Sequence, residues 1–105
     1  MNINNALARL RPRSQHHYRQ LPLFGGIMDA FAQWSLERGF SIKMARFHVE
    51  ALMRLVPWFQ RRGKRRVKDL SAEDIEATRR FYRRRNPHRA AGVQKLGEFL
   101  QGRGW

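Results

Sequence analysis

Between residues 45 and 59 the apolar side chains Ala45, Val49, Leu52, Val56 and Phe59 recur at steps of three and four. That spacing follows the 3.6-residue turn of an α-helix and puts all of them on one face. A helix with one apolar face must bury it against other elements. No stretch of this chain alternates apolar and polar residues as a half-buried strand does, so those elements are expected to be helices as well. The expected class is all-α.

Three more segments read as helices around this one. In residues 27–38, Ile27, Ala30, Phe31, Trp34 and Leu36 fall near helical spacing, and Gly39 supplies a stop. Ser41 is placed to cap the second helix. Pro57 removes an N–H and crowds the carbonyl four residues back, which predicts a kink or an early end there. The run Ser71-Ala72-Glu73-Asp74 opens a third helix reaching about residue 84, with Ile75 and Thr78 inside together with Phe81 or Tyr82. Asn86 and Pro87 suit the cap and first turn of a fourth, whose apolar face is Val93, Leu96, Phe99 and Leu100. His48, beside the apolar face of the second helix, reads as a hydrogen-bonded histidine at the core edge. Residues 1–23 hold Arg9, Arg11, Arg13 and Arg19 among polar residues, with Pro12 in the middle and only one turn's worth of apolar period at Leu7 and Leu10. They are expected to form a mobile basic arm ahead of a compact four-helix bundle at 24–105.

Charge narrows the choice of partner. The 105 residues carry 22 Lys and Arg against 8 Asp and Glu, a formal net charge of +14. A compact chain so positive repels itself, and a polyanion relieves the repulsion and releases its own counterions on binding. Nucleic acid is the expected partner. There is no cysteine, which excludes disulfides and thiolate metal sites and suits a reducing cytoplasm. No apolar run approaches the roughly 20 residues of a membrane span, and the first 20 residues lack a signal-peptide core. Neither a membrane nor a small-molecule substrate is expected. His16 and His17 have no carboxylate or thiolate neighbour in sequence to make a metal site, and Tyr18 and Tyr82 suit packing or phosphate contact better than nucleophilic attack. Hence no cofactor, metal or catalytic activity is expected of this chain.

Two basic clusters carry a mechanism. At the start of the second helix, Ser41, Lys43 and Arg46 could meet a phosphate or enter a major groove, and Glu50, Arg54 and Arg61 follow Lys43 along the outer face. A second track runs from Arg79 and Arg83 through Arg89 to Lys95. Flanking one helical unit, the two predict a concave surface for double-stranded DNA, with Lys43, Arg46, Arg89 and Lys95 nearest the bases. The arm arginines and the turn Arg61, Arg62, Lys64, Arg65 and Arg66 would add affinity that is independent of sequence. Two other readings remain: a protein-interaction module that docks a partner helix on exposed Phe47 and Trp58, and an RNA-binding accessory module.

The order of these features resembles the amino-terminal core-binding domain of the tyrosine recombinases, the phage-integrase family. Residues 31–41, FAQWSLERGFS, are similar to that domain's opening, an aromatic-rich helix closed by Gly, an aromatic and Ser. Arg46, His48, Arg54, Leu55 and Trp58 fall where a transposase-like subgroup has similar residues. The segment KDLSAEDIEATRRFY, residues 68–82, resembles the third-helix block through Asp69, Leu70, Ser71, Asp74 and Ile75, and LGEFLQGRGW resembles the close of the fourth helix. The likeness covers about residues 24–105. It implies a four-helix, SAM-like unit that clamps a recombination site in a bacterial or phage setting, beside other protomers. Strand exchange would fall to a separate catalytic domain in the parent chain. The family's catalytic arginines, histidine and tyrosine belong to that domain, so none is carried over here.

Overall fold

The structure, a computed structural model, describes residues 4–104, with side chains from Ala6 onward. Six α-helices are found among the described residues: α1 Asn4–Leu10, α2 Gln15–Arg19, α3 Met28–Glu37, α4 Ile42–Gln60, α5 Ala72–Arg85 and α6 Pro87–Gly102. Short 3-10 turns at Gly25–Ile27 and Val67–Asp69 link them, and the described residues form no strand beyond a single bridge between Leu23 and Arg66.

The punctuation of the sequence sets the ends of these helices. Gly39 takes φ +89°, a conformation that costs a residue with a Cβ, and it closes α3 with its N–H on the Leu36 carbonyl. Ser41 Oγ accepts the Met44 N–H at 3.1 Å to start α4. At α5 the exchange is reciprocal, because the Asp74 N–H reaches Ser71 Oγ while the Asp74 carboxylate accepts the Ser71 N–H at 2.8 Å. Asn86 Oδ1 accepts the Arg89 N–H, and Pro87 fills the first position of α6.

Packing follows from the apolar faces. α6 lies against α5 and α4, and α3 lies against α4 and α1. The core runs through Phe31, Val49, Leu52, Leu55, Phe59, Val93, Leu96 and Phe99. Gly92 is where α6 meets α4: a Cβ there would overlap the Cβ of Ala51, so the two small residues let the helices touch at backbone distance. The buried polar residues Ser35, His48 and Thr78 are paired within this core. His48, 2 % exposed, shares a 3.0 Å hydrogen bond with Ser35 through Nδ1, and the Trp58 indole N–H donates to Thr78 Oγ1 at 2.8 Å. The Cα radius of gyration, 12.8 Å, is close to the roughly 13 Å expected of a single compact domain of about 100 residues.

The structure corrects three expectations. Residues 4–23 are no mobile arm: α1 buries Ala6, Leu7 and Leu10 completely, α2 buries Tyr18, and both helices pack on α3. Burying these side chains supplies the stabilisation that a seven-residue helix lacks in isolation. Residues 1–3 lie outside the described residues. Pro57 does not end the second helix, which continues to Gln60 with the Arg61 N–H on the Pro57 carbonyl. The Pro57 nitrogen has no hydrogen to donate, and the buried residues Val56, Trp58 and Phe59 hold the last turn in place. Trp58 is 7 % exposed, beneath α5, and offers no free ring to a partner helix.

Candidate nucleic-acid interface

A basic groove runs along the outer face of α4. The face is fixed by the buried one: with Val49, Leu52 and Leu55 inside, Lys43, Arg46, Phe47, Glu50 and Arg54 are left outward or at the flank. One wall is the turn from α1 to α2, where Arg11, Pro12, Arg13 and Ser14 face Arg46 across a depression of about 340 Å³. Arg11 and Arg46 continue into a second depression of about 290 Å³ with Lys43, Phe47 and Glu50. Phe47 and Glu50 then join a narrower cleft whose far wall is Asn86, His88 and Arg89 at the start of α6. These concavities share residues, so together they make one groove from the α1–α2 turn to the start of α6.

Its electrostatics are one-sided. Arg11, Arg13, Lys43, Arg46, Arg54 and Arg89 line it, with Glu50 as the carboxylate among them. That carboxylate is neutralised in place by the Arg11 guanidinium at 3.1 Å, which also reaches the Arg46 carbonyl at 3.3 Å. Among the described residues no ion pair holds Arg13, Lys43, Arg46, Arg54 or Arg89. Tyr18 lies beside the groove with Arg11 at 5.7 Å from its ring. Burial pushes its hydroxyl above the ordinary tyrosine value, while Arg11 pulls it down. His88 stacks on Phe47 with ring centroids 5.1 Å apart and fixes the far wall.

Elsewhere five acids are occupied by the fold. Asp69 accepts the backbone N–H groups of Arg66 and Arg65, which hold its carboxyl below the usual range. Burial pushes Asp74 up, but the Ser71 N–H and the Lys64 ammonium at 3.1 Å outweigh it, and the group ends below its ordinary value. Glu76 is held low by the Arg79 guanidinium at 2.7 Å. Asp29 pairs with Arg19, and Glu98 pairs with Lys95 and Arg38.

The structure therefore divides the basic residues picked out in the sequence. It brings Lys43, Arg46 and Arg89 into one groove. Ser41 stands exposed at the end of α4, with its hydroxyl serving as the cap. Arg79 lines a different depression, between α5 and α6, and faces Glu76, while the Lys95 ammonium is on Glu98 at 3.2 Å and over Phe40. Lys64 is bound to Asp74, and Arg62 lies over Trp58. Arg61, Arg65, Arg66 and Arg83 are exposed and line none of the three depressions.

Sequence reasoning missed Arg11 and Arg13 as groove walls, because they join it only once α1 and α2 fold back. Arg54 shares the outer face with Lys43 in the sequence itself, since eleven residues past Lys43 is close to three full helical turns. Among the described residues there is no cluster of three or more potential metal ligands, and no helix is long and apolar enough to cross a membrane. No family model, curated protein or solved structure matches the chain.

Proposed function

We propose that this chain is a DNA-binding module that seats duplex DNA in the α4 groove without catalysing chemistry, as the recombinase core-binding domain it resembles would do at a recombination site. The observation that carries the reading is the groove itself, where five cations that have no ion pair among the described residues line a concavity whose carboxylate is already neutralised by Arg11. The arginines offer planar forks of N–H donors suited to phosphate or to a guanine edge, and Lys43 offers a compact charge. Most of these contacts position the duplex, and sequence preference rests on the few side chains that reach base edges. Phosphates recur at one charge per about 1.7 Å of duplex axis, so several meet the groove at once.

The test is fluorescence anisotropy of a labelled duplex over a range of salt. Wild type is compared with Lys43→Glu/Arg46→Glu and with Lys68→Glu/Arg103→Glu, an equal charge reversal on exposed residues outside the groove. The wild-type log–log slope is expected to report about four to eight released counterions. The groove variant is expected to bind at least tenfold more weakly than the control. Equal losses in the two variants, or no binding at low salt, would overturn the reading.

A further inference from the structure

Where α4 and α5 end, aromatic rings and guanidinium groups are stacked in a repeated arrangement. Arg62 places its guanidinium carbon 3.4 Å from the Trp58 ring centroid while donating to the Trp58 carbonyl at 3.1 Å. Arg85 does the same one helix away, 4.2 Å from the Phe81 centroid and 2.9 Å from the Phe81 carbonyl. The Trp58 and Phe81 rings are themselves 4.4 Å apart, so both guanidiniums rest on one aromatic platform. Tyr82 extends it, 5.3 Å from Trp58 and 4.9 Å from Phe81, and carries Arg89 at 5.1 Å. Arg89 also lines the groove, so groove and platform join through one side chain.

We propose that Arg62 and Arg85 form a second anion seat that takes phosphodiester oxygens of the same nucleic acid, continuing the α4 groove over the platform through Arg89. The proposal rests on the DNA-binding reading and extends its footprint. Each guanidinium is held twice, by a ring face and by a carbonyl four residues back, which leaves its remaining N–H donors available. Both residues are exposed, and among the described residues neither has a carboxylate partner. A guanidinium fixed in this way loses its side-chain freedom on folding and not on binding, and the preference for Arg over Lys follows, because an ammonium lacks the planar fork.

Two measurements test it. In the salt titration, Arg62→Ala/Arg85→Ala should lower the log–log slope by about 1.8, two contacts at roughly 0.9 each. Arg62→Lys/Arg85→Lys should keep the slope yet bind at least threefold more weakly than wild type. An unchanged slope in the first variant, or wild-type affinity in the second, overturns the seat. In wild-type protein, which needs no variant to fold, the side-chain Nε–H resonances of Arg62 and Arg85 should shift on adding the duplex. If Lys43→Glu/Arg46→Glu abolishes binding while these resonances stay fixed in the wild-type titration, the seat is wrong and the groove stands. If they shift while that groove variant behaves like its control, the groove is wrong and the seat stands.

Discussion

Truncating Leu7 to Ala tests whether the amino-terminal helices belong to the fold. Leu7 is fully buried, in the core cluster with Leu10, Phe24 and Phe31. Removing its three outer carbons at about 0.8 kcal/mol each costs about 2.4 kcal/mol, and a cavity that cannot fully collapse raises the expected loss to about 3 kcal/mol. In a domain of this size that corresponds to a fall in Tm of roughly 12–20 °C. The assay is urea unfolding followed by circular dichroism, where the midpoint should drop with the m-value unchanged. Arg9→Ala, exposed on the same helix, is the control and should stay within about 0.5 kcal/mol of wild type. A Leu7→Ala loss as small as the control's would refute the packed α1 and return residues 4–23 to a solvated arm.

Three other outcomes follow from the core. Gly92→Ala drives a methyl into Ala51 at the α4–α6 contact and is expected to cost about 1–3 kcal/mol in denaturant unfolding, with Gly102→Ala, which meets nothing, near wild type. Thr78→Val orphans the Trp58 indole N–H and should destabilise by about 1–3 kcal/mol, with altered indole fluorescence as a second readout; a neutral result would contradict that hydrogen bond. Burial, with Lys95 adding to it, lowers the His48 pKa below the ordinary 6.5, and Glu98 only partly opposes this. The unfolded chain then takes up the proton first as pH falls, so stability is full above about pH 6.5 and declines below it. Relative to wild type, His48→Gln should flatten the unfolding midpoint between about pH 7 and 5, while the loss from Asp69 and Asp74, whose carboxyls are held low, comes only at more acidic pH.

Much of this fold was legible because its signals are local. Ser41, Ser71 with Asp74, Asn86 with Pro87, and Gly39 each act within four residues, and each sits at a helix end as the sequence suggested. The segment Asn4–Leu10 failed the same reading because its apolar residues span less than two turns and Pro12 breaks the period. What stabilises it is contact with α3, which no local window contains. Pro57 misled for the opposite reason, since a local penalty was outweighed by the buried side chains on either side of it. At the site, one helical face placed Lys43 with Arg46, whereas Arg89 came across by tertiary packing alone. Arg79 resembled part of the same track although Glu76, three residues before it, already marked it for an ion pair along the helix.

The way the groove is anchored has a kinetic consequence. Its floor and both walls are tied to buried side chains: Tyr18 and Leu10 behind the α1–α2 turn, Val49 and Leu52 beneath α4, Ala90 and Val93 at the start of α6. A slot held from behind in this way does not have to assemble during capture. On the proposed reading, association with an anionic rod should then be a single fast step without a slow isomerisation, with a rate constant set by diffusion and long-range attraction. Added salt should slow that step steeply, and the lifetime of the complex should depend mainly on the short-range contacts inside the slot.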